Sequence, residues 1–524
     1  MLISPVNRAA SVFLMSAVLL ASGASAADRV TTDTGIVEGT TQSHVHIYKG
    51  IPYAAPPVGS LRWKAPQPAA SWTGVRSATE FGPRCMQGRI YEDMIFRDKG
   101  PSEDCLYLNV WTPAKSADAH VPVMVWIYGG GFQAGASSEP RQDGENLAKK
   151  GVVVVSFNYR LGVFGFMAHP ELTKESDRNA SGNYGLLDQV AALQWVKRNI
   201  AAFGGDPHNV TIFGESAGSF SVSALMGSPL AKGLFQRAIG ESGSFFAISG
   251  RPERTLAEGE ESGGKLGKTV GADSLAALRA MPADQLLQAV LKDKSATYRF
   301  WPLVDGYFLP EPMEAIFAAG KQSHVPLLAG WNANEGGVGG GHPPATAQSW
   351  TSHAQAMFGD KAPEFLKLYP AANDEEARQS ADDFGAAMFI GLGTWEWIGA
   401  QQATGESPVY RYRFEQAPPT KSGPPRGAYH SAEIEYVFGT LASKDLPWRP
   451  EDWKLSEMMS SYWTNFAKTA DPNGPGLPHW PAYSVQTKDE VMHLTADHPQ
   501  AIPARHNAQY EFLQTNPPTM PAGR

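Results

Sequence analysis

The stretch TIFGESAGSFS, Thr211–Ser221, sets Ser216 between Gly214 and Gly218 directly after a short apolar run. A G-x-S-x-G pentapeptide arises by chance in a chain with 53 glycines among 524 residues, so its meaning depends on its surroundings. Upstream, Tyr184 to Phe203 carries Leu186, Val190, Leu193, Val196 and Ile200 at spacings of three and four, the period of an amphipathic helix; GGDP at Gly204 to Pro207 ends it. Asn209 to Phe213 then reads as a strand, and the chain turns helical after Gly218. Ser216 is thereby placed at a strand-to-helix junction. A nucleophile elbow requires this context, because a sharp turn holds the hydroxyl out at the carboxyl edge of a sheet and leaves no room for side chains at the flanking positions.

Strand and helix signals alternate through the first half of the chain, the pattern of an α/β protein. VPVMVWIY (Val121 to Tyr128) and GVVVVSFNY (Gly151 to Tyr159) are nearly continuous apolar runs, as expected for strands buried on both faces. IYGGGF (Ile127 to Phe132) follows the first of them. A glycine run is ordinarily a flexible loop, but one after a buried strand and upstream of an elbow leaves backbone N–H groups free to converge on an oxyanion. In the second half, Val325 to Gly330 and Pro408 to Phe414 read as strands. Glu451 to Lys468 reads as a helix with Leu455, Met459, Tyr462 and Phe466 on one face. No internal repeat and no linker composition divides the chain, so residues 27–524 are expected to form one domain.

The first 26 residues have the build of an export leader: Arg8, the apolar run Ala9 to Leu20, then Ala24 and Ala26 at the spacing a signal peptidase accepts. The run is short for a membrane span, so cleavage after Ala26 and a secreted or periplasmic protein are expected, without stable membrane anchoring. Net charge is −8, which argues against nucleic acid as a partner. Two cysteines, Cys85 and Cys105, in an exported chain read as a disulfide; buried thiols are the alternative. They are too few for a structural zinc site, no H-E-x-x-H occurs, and His44-Val-His46 is expected to alternate across a strand, so no metal is expected.

The segments YKGIPYAAPPVGSLRWKAP, SEDCLYLNVWTP, MVWIYGGGF, NYRLGVFGF, FGESAGS, NEGG, YHSAEIEYVFG and YWTNFAKTADPN, in this order, resemble the type-B carboxylesterase family of the α/β-hydrolase fold. That family includes bacterial para-nitrobenzyl esterases and, more distantly, cholinesterases. The resemblance implies a large, mostly parallel sheet flanked by helices, with insertions forming a gorge. It implies hydrolysis of a small-molecule carboxylic ester through an acyl-enzyme, with no cofactor. Ser216 would be the nucleophile, His430 the base and Glu335 its acid partner; the N–H groups of Gly130, Gly131 and Ala217 would form the oxyanion hole. Glu215 and Ser242 would stand behind these. Arg62 with Glu103, and Arg160 with Asp188, fall where the family forms buried ion pairs. Counting back from Pro302 places Ala296 and Tyr298 in the acyl pocket, with Arg299 beside them.

One departure stands out: residues 86–104 contain no tryptophan, whereas cholinesterases carry a choline-stacking tryptophan there. A cholinesterase is not expected. Two other functions fit the same motifs, amide or peptide hydrolysis on the same triad and a non-catalytic binding member of the fold. The second loses ground because every expected catalytic group is present.

Overall fold

The computed structural model describes residues 28–246, 253–272, 274–292, 300–337, 345–484 and 489–519. The expected leader, residues 1–26, lies outside them, as do Ala296, Tyr298 and Arg299. The eleven strands of the central sheet are β1 (Thr40–Gln42), β2 (Val45–Pro52), β3 (Tyr107–Thr112), β4 (Val121–Ile127), β5 (Val153–Phe157) and β6 (Gly205–Glu215), followed by β7 (Arg237–Glu241), β8 (Leu327–Asn332), β9 (Val409–Phe414), β10 (Glu490–Leu494) and β11 (Gln500–Pro503). Their spatial order is β11-β10-β9-β8-β7-β6-β4-β5-β3-β2-β1. From β5 to β10 every pairing is parallel, and the antiparallel pairings are confined to the two edges.

The central strands are apolar on both faces because helices cover both. Val153, Val154 and Val155 of β5 and Val123 to Ile127 of β4 are all fully buried. Helix α1 (Tyr184–Asn199) crosses one face and delivers the chain to β6. Helix α2 (Ala217–Gly227) leaves the elbow with all eleven residues buried, which explains its lack of a polar face. Helix α3 (Pro450–Thr469) lays Leu455, Met459, Tyr462, Trp463 and Phe466 against the core. Among the described residues no helix is long and apolar enough to cross a membrane.

Both expected ion pairs form. Arg62 Nε and Nη2 donate to the two Glu103 oxygens, each at 2.6 Å, and Arg160 grips buried Asp188 through Nε (2.8 Å) and Nη2 (2.7 Å). Cys85 and Cys105 are joined in a disulfide. The expected alternation of His44 and His46 on one strand is corrected. Ser43 and His44, with φ of 49° and 65°, form the two-residue turn between β1 and β2, whose left-handed backbone suits the twist of a hairpin; only His46 lies in a strand.

Candidate active site

The parallel strands end on one edge of the sheet, where ligands of α/β proteins bind, and β6 ends there at Glu215. Ser216 follows with φ 54° and ψ −123°, outside the regions a non-glycine residue ordinarily occupies. Such a backbone costs on the order of 1–3 kcal/mol and persists only where its surroundings enforce it. Here the Ser216 N–H donates to the Glu241 carbonyl (2.8 Å), and the Phe220 N–H donates to the Ser216 carbonyl (2.9 Å). The flanking glycines are steric necessities: a Cβ on Gly214 would lie 2.6 Å from the Ile127 oxygen, and one on Gly218 would collide with that same oxygen.

From this turn Ser216 Oγ stands 2.9 Å from His430 Nε2, and His430 Nδ1 stands 2.6 Å from Glu335 Oε2. Glu335 is fully buried, and its other oxygen accepts the Asn332 N–H at 2.9 Å, so β8 fixes the carboxylate directly. Phe389 meets the imidazole in a T-shaped contact, ring centroids 5.1 Å apart. Phe389 lies in a π-helical turn, Ala387–Gly391. Residues 332 to 335 and 430, remote in sequence from Ser216, thus converge on it.

The glycine loop lies against the same serine. A Cβ on Gly129 would meet Ser216 Cβ at 3.0 Å and Glu215 Oε2 at 2.8 Å. Gly130 and Gly131 have φ of 105° and 63°, conformations that strain any other residue. The disulfide-closed loop packs outside them, with Met94 Cε 3.0 Å from a Cβ built on Gly130 and Tyr91 Oη 3.1 Å from one on Gly131. Ala217 opens α2, so its N–H points out of a helix N-terminus, where negative charge is favoured.

A profile of the Carboxylesterase family matches residues 26–513. The chain belongs to this family. It is 39% identical over 479 residues to the fumonisin B1 esterase of Sphingopyxis macrogoltabida, covering 88% of this chain and 85% of that protein. It is 38% identical over 485 residues to the para-nitrobenzyl esterase of Bacillus subtilis, covering 88% and 94%. A solved para-nitrobenzyl esterase structure superposes with a TM-score of 0.80 at 36% identity, covering 92% of this chain and 99% of the other. The fold is the α/β-hydrolase fold, and this carboxylesterase is a carboxylic ester hydrolase.

The electrostatics of its site are set by acids. Burial pulls the His430 pKa down, but the Glu215 and Glu335 carboxylates outweigh it and push the imidazole up to about 9. Glu215 Oε1 lies 3.3 Å from His430 Nε2, on the side that also faces Ser216. Burial raises Glu215 in turn, opposed by His430 and by Arg141, which is itself paired to Glu139 at 2.7 Å. Ser242 is buried with φ 56°, and its N–H donates to the Gly330 carbonyl (2.9 Å), bracing the strand end beside the elbow.

Sequence reasoning did not single out Asn332, Glu241, Glu433 or Phe389. Asn332 ties three pieces together, since its side-chain amide also donates to the Tyr429 carbonyl (2.8 Å) and to Glu433 Oε2 (2.5 Å). Glu433 sits three residues past His430, within the quoted YHSAEIEYVFG segment, and Glu241 directly precedes Ser242. Nothing in the local sequence signals that Phe389 reaches the histidine.

Proposed function

We propose that this carboxylesterase cleaves its ester through Ser216, His430 and Glu335. As Ser216 Oγ attacks the ester carbonyl carbon, its proton passes to His430 Nε2. The carbonyl oxygen becomes an oxyanion held by the N–H groups of Gly130, Gly131 and Ala217. Collapse breaks the bond to the alcohol oxygen, and His430 returns the proton to that leaving group. Water then repeats the sequence on the acyl-enzyme, releasing the acid and restoring Ser216. Glu335 accepts from Nδ1, which fixes the tautomer and stabilises the imidazolium. The observation that carries the reading is the continuous chain Ser216 Oγ to His430 Nε2 (2.9 Å) and His430 Nδ1 to Glu335 (2.6 Å).

Relatives named fumonisin B1 esterase and para-nitrobenzyl esterase support a carboxylic ester as the substrate, and the absence of tryptophan from residues 86–104 withdraws support from a choline ester. The leader build of residues 1–26 and the Cys85–Cys105 disulfide support export to an oxidising compartment, where residues 27–524 act as one domain. Ala296 and Tyr298 are proposed to shape the acyl side. Ser216→Ala, His430→Ala and Glu335→Gln are each expected to lower turnover by several orders of magnitude, about 10⁴-fold, because such residues act as a unit. An organophosphonate should label Ser216. An active Ser216→Ala enzyme, or a label elsewhere, overturns the assignment.

A further inference from the structure

Register alone draws a buried polar row across the sheet below Ser216. Glu215 of β6 pairs with Glu241 of β7, Glu241 pairs with Gly330 of β8, and Gly330 pairs with Tyr412 of β9. Register partners on parallel strands point to the same face, so Glu215, Glu241 and Tyr412 share one. Gly330 leaves the gap into which Tyr412 leans, since a Cβ there would overlap the Tyr412 ring. From outside the sheet, Trp463 of α3 closes the row: its Nε1 donates to Glu241 Oε1 at 2.8 Å, and its ring meets Tyr412 edge-on at 5.3 Å.

All of these groups are fully or almost fully buried, and so is Glu433, which Asn332 holds from the other side. Glu241 Oε2, Glu433 Oε1 and the Tyr412 hydroxyl each make no hydrogen bond among the described residues. The charged and titratable groups facing Glu241 are Glu215, Glu433 and Tyr412; Glu335 lies beyond Glu433, and His430 is bound to Glu335. The one cation acting on this row besides His430 is Arg141, and it acts on Glu215. Carboxylates crowded this way in a dry interior cannot all ionise. Burial and Glu433 accordingly hold Glu241 well above the ordinary carboxyl range.

We propose that Glu241 is a positioning residue that works as a neutral acid: Oε2 carries a proton beside its register partner Glu215, while Oε1 accepts from Trp463. The Glu241 side chain is locked, and its main-chain carbonyl is held where it receives the Ser216 N–H. A neutral Glu241 also leaves Glu215 and Glu335 as the charges that face His430. The inference rests on the proposed roles of Ser216 and His430 only for its catalytic consequence, not for the protonation itself.

Two measurements test it on the whole enzyme. The infrared difference spectrum of wild type minus Glu241→Gln at neutral pH should show the C=O band of a protonated carboxylic acid, and Trp463→Phe, which removes the donor to Oε1, should shift that band. The acid limb of kcat/KM in Glu241→Gln should stay where it is in the wild type, because a neutral amide replaces a neutral acid. Glu241→Met, which lacks the donor, should lose on the order of tenfold in kcat. Loss of carboxylate bands instead of the acid band, or a Glu241→Gln limb moved to lower pH, overturns the proposal. A purely structural Glu241 would lower Tm in both variants alike without an acid band. Should Glu241→Gln fail to fold, a wild-type acid band unmoved by Trp463→Phe also refutes it. Retained activity in Ser216→Ala would refute the reading of the site and leave the infrared result standing, so the two failures are distinguishable.

Discussion

Replacing Glu215 by glutamine tests the electrostatics of the site most directly. The carboxylate stands 3.3 Å from His430 Nε2; at an effective dielectric of about 20 the attraction for an imidazolium is bounded near 5 kcal/mol. One pKa unit corresponds to about 1.4 kcal/mol, so the bound exceeds three units. The effective value is smaller, because burial raises Glu215 as well and part of its charge is neutralised by its own proton. A downward shift of about one to two units in the His430 titration is therefore expected in Glu215→Gln. The sign follows from the proposed cycle: there His430 must be neutral to take the Ser216 proton, its pKa is raised by the two acids, and removing one of them makes that form available at lower pH. The acid limb of kcat/KM should move down accordingly.

In the proposed mechanism the same carboxylate stabilises the imidazolium formed during attack, so the plateau rate should also fall, on the order of tenfold. The two effects cross: relative to its own plateau the variant is the better enzyme in mild acid and the poorer one in absolute terms at high pH. The assay is kcat/KM for a para-nitrophenyl ester across the pH range, read at a wavelength where phenol and phenolate absorb equally. A limb that stays in place, or moves up, would refute the claim that Glu215 acts on His430 through its charge.

Gly218→Ala should abolish activity and lower Tm, since its Cβ collides with the Ile127 oxygen; normal turnover would mean the elbow is looser than drawn. Reduction of Cys85–Cys105 removes a crosslink worth about 3 kcal/mol in the chain-entropy model. It should raise KM before the sheet melts, because the loop seats Tyr91 and Met94 against Gly130 and Gly131. Unchanged kinetics in the reduced enzyme would detach that loop from the site. Glu433, raised by burial and then by Glu215 and Glu335 to about 8, binds its proton more tightly folded than unfolded. Stability is therefore lost as pH rises from the ordinary carboxyl value towards 8, at up to about 1.4 kcal/mol per unit. Glu433→Gln should flatten Tm against pH over that window, and a parallel decline in both proteins would count against a buried, proton-retaining Glu433.

What the sequence made legible was what depends on local sterics or on strand and helix period. The elbow glycines are forced by backbone approach to Ile127, and the valine runs of β4 and β5 by burial on both faces, so each leaves a mark within a few residues. His44 was misread because a two-residue turn, Ser43–His44, inside an apparent alternation leaves no such mark when neither residue is glycine or asparagine. The partners of Ser216 were legible only through resemblance: Glu335 and His430 lie 119 and 214 positions further along the chain, and no local pattern links them. The polar row is hidden for a further reason. Glu215, Glu241 and Tyr412 become neighbours through strand register, a property of how β6 to β9 pair. Each residue alone reads as an ordinary strand-end acid or a packed tyrosine, and only Gly330, blank in the middle of the row, lets the tyrosine lean towards the acids. The charge state of His430, the proposed base, is thus decided by acids whose proximity no segment of the sequence announces, which is why the pH profile, more than the loss of activity on deleting Ser216, is the measurement that examines the folded site.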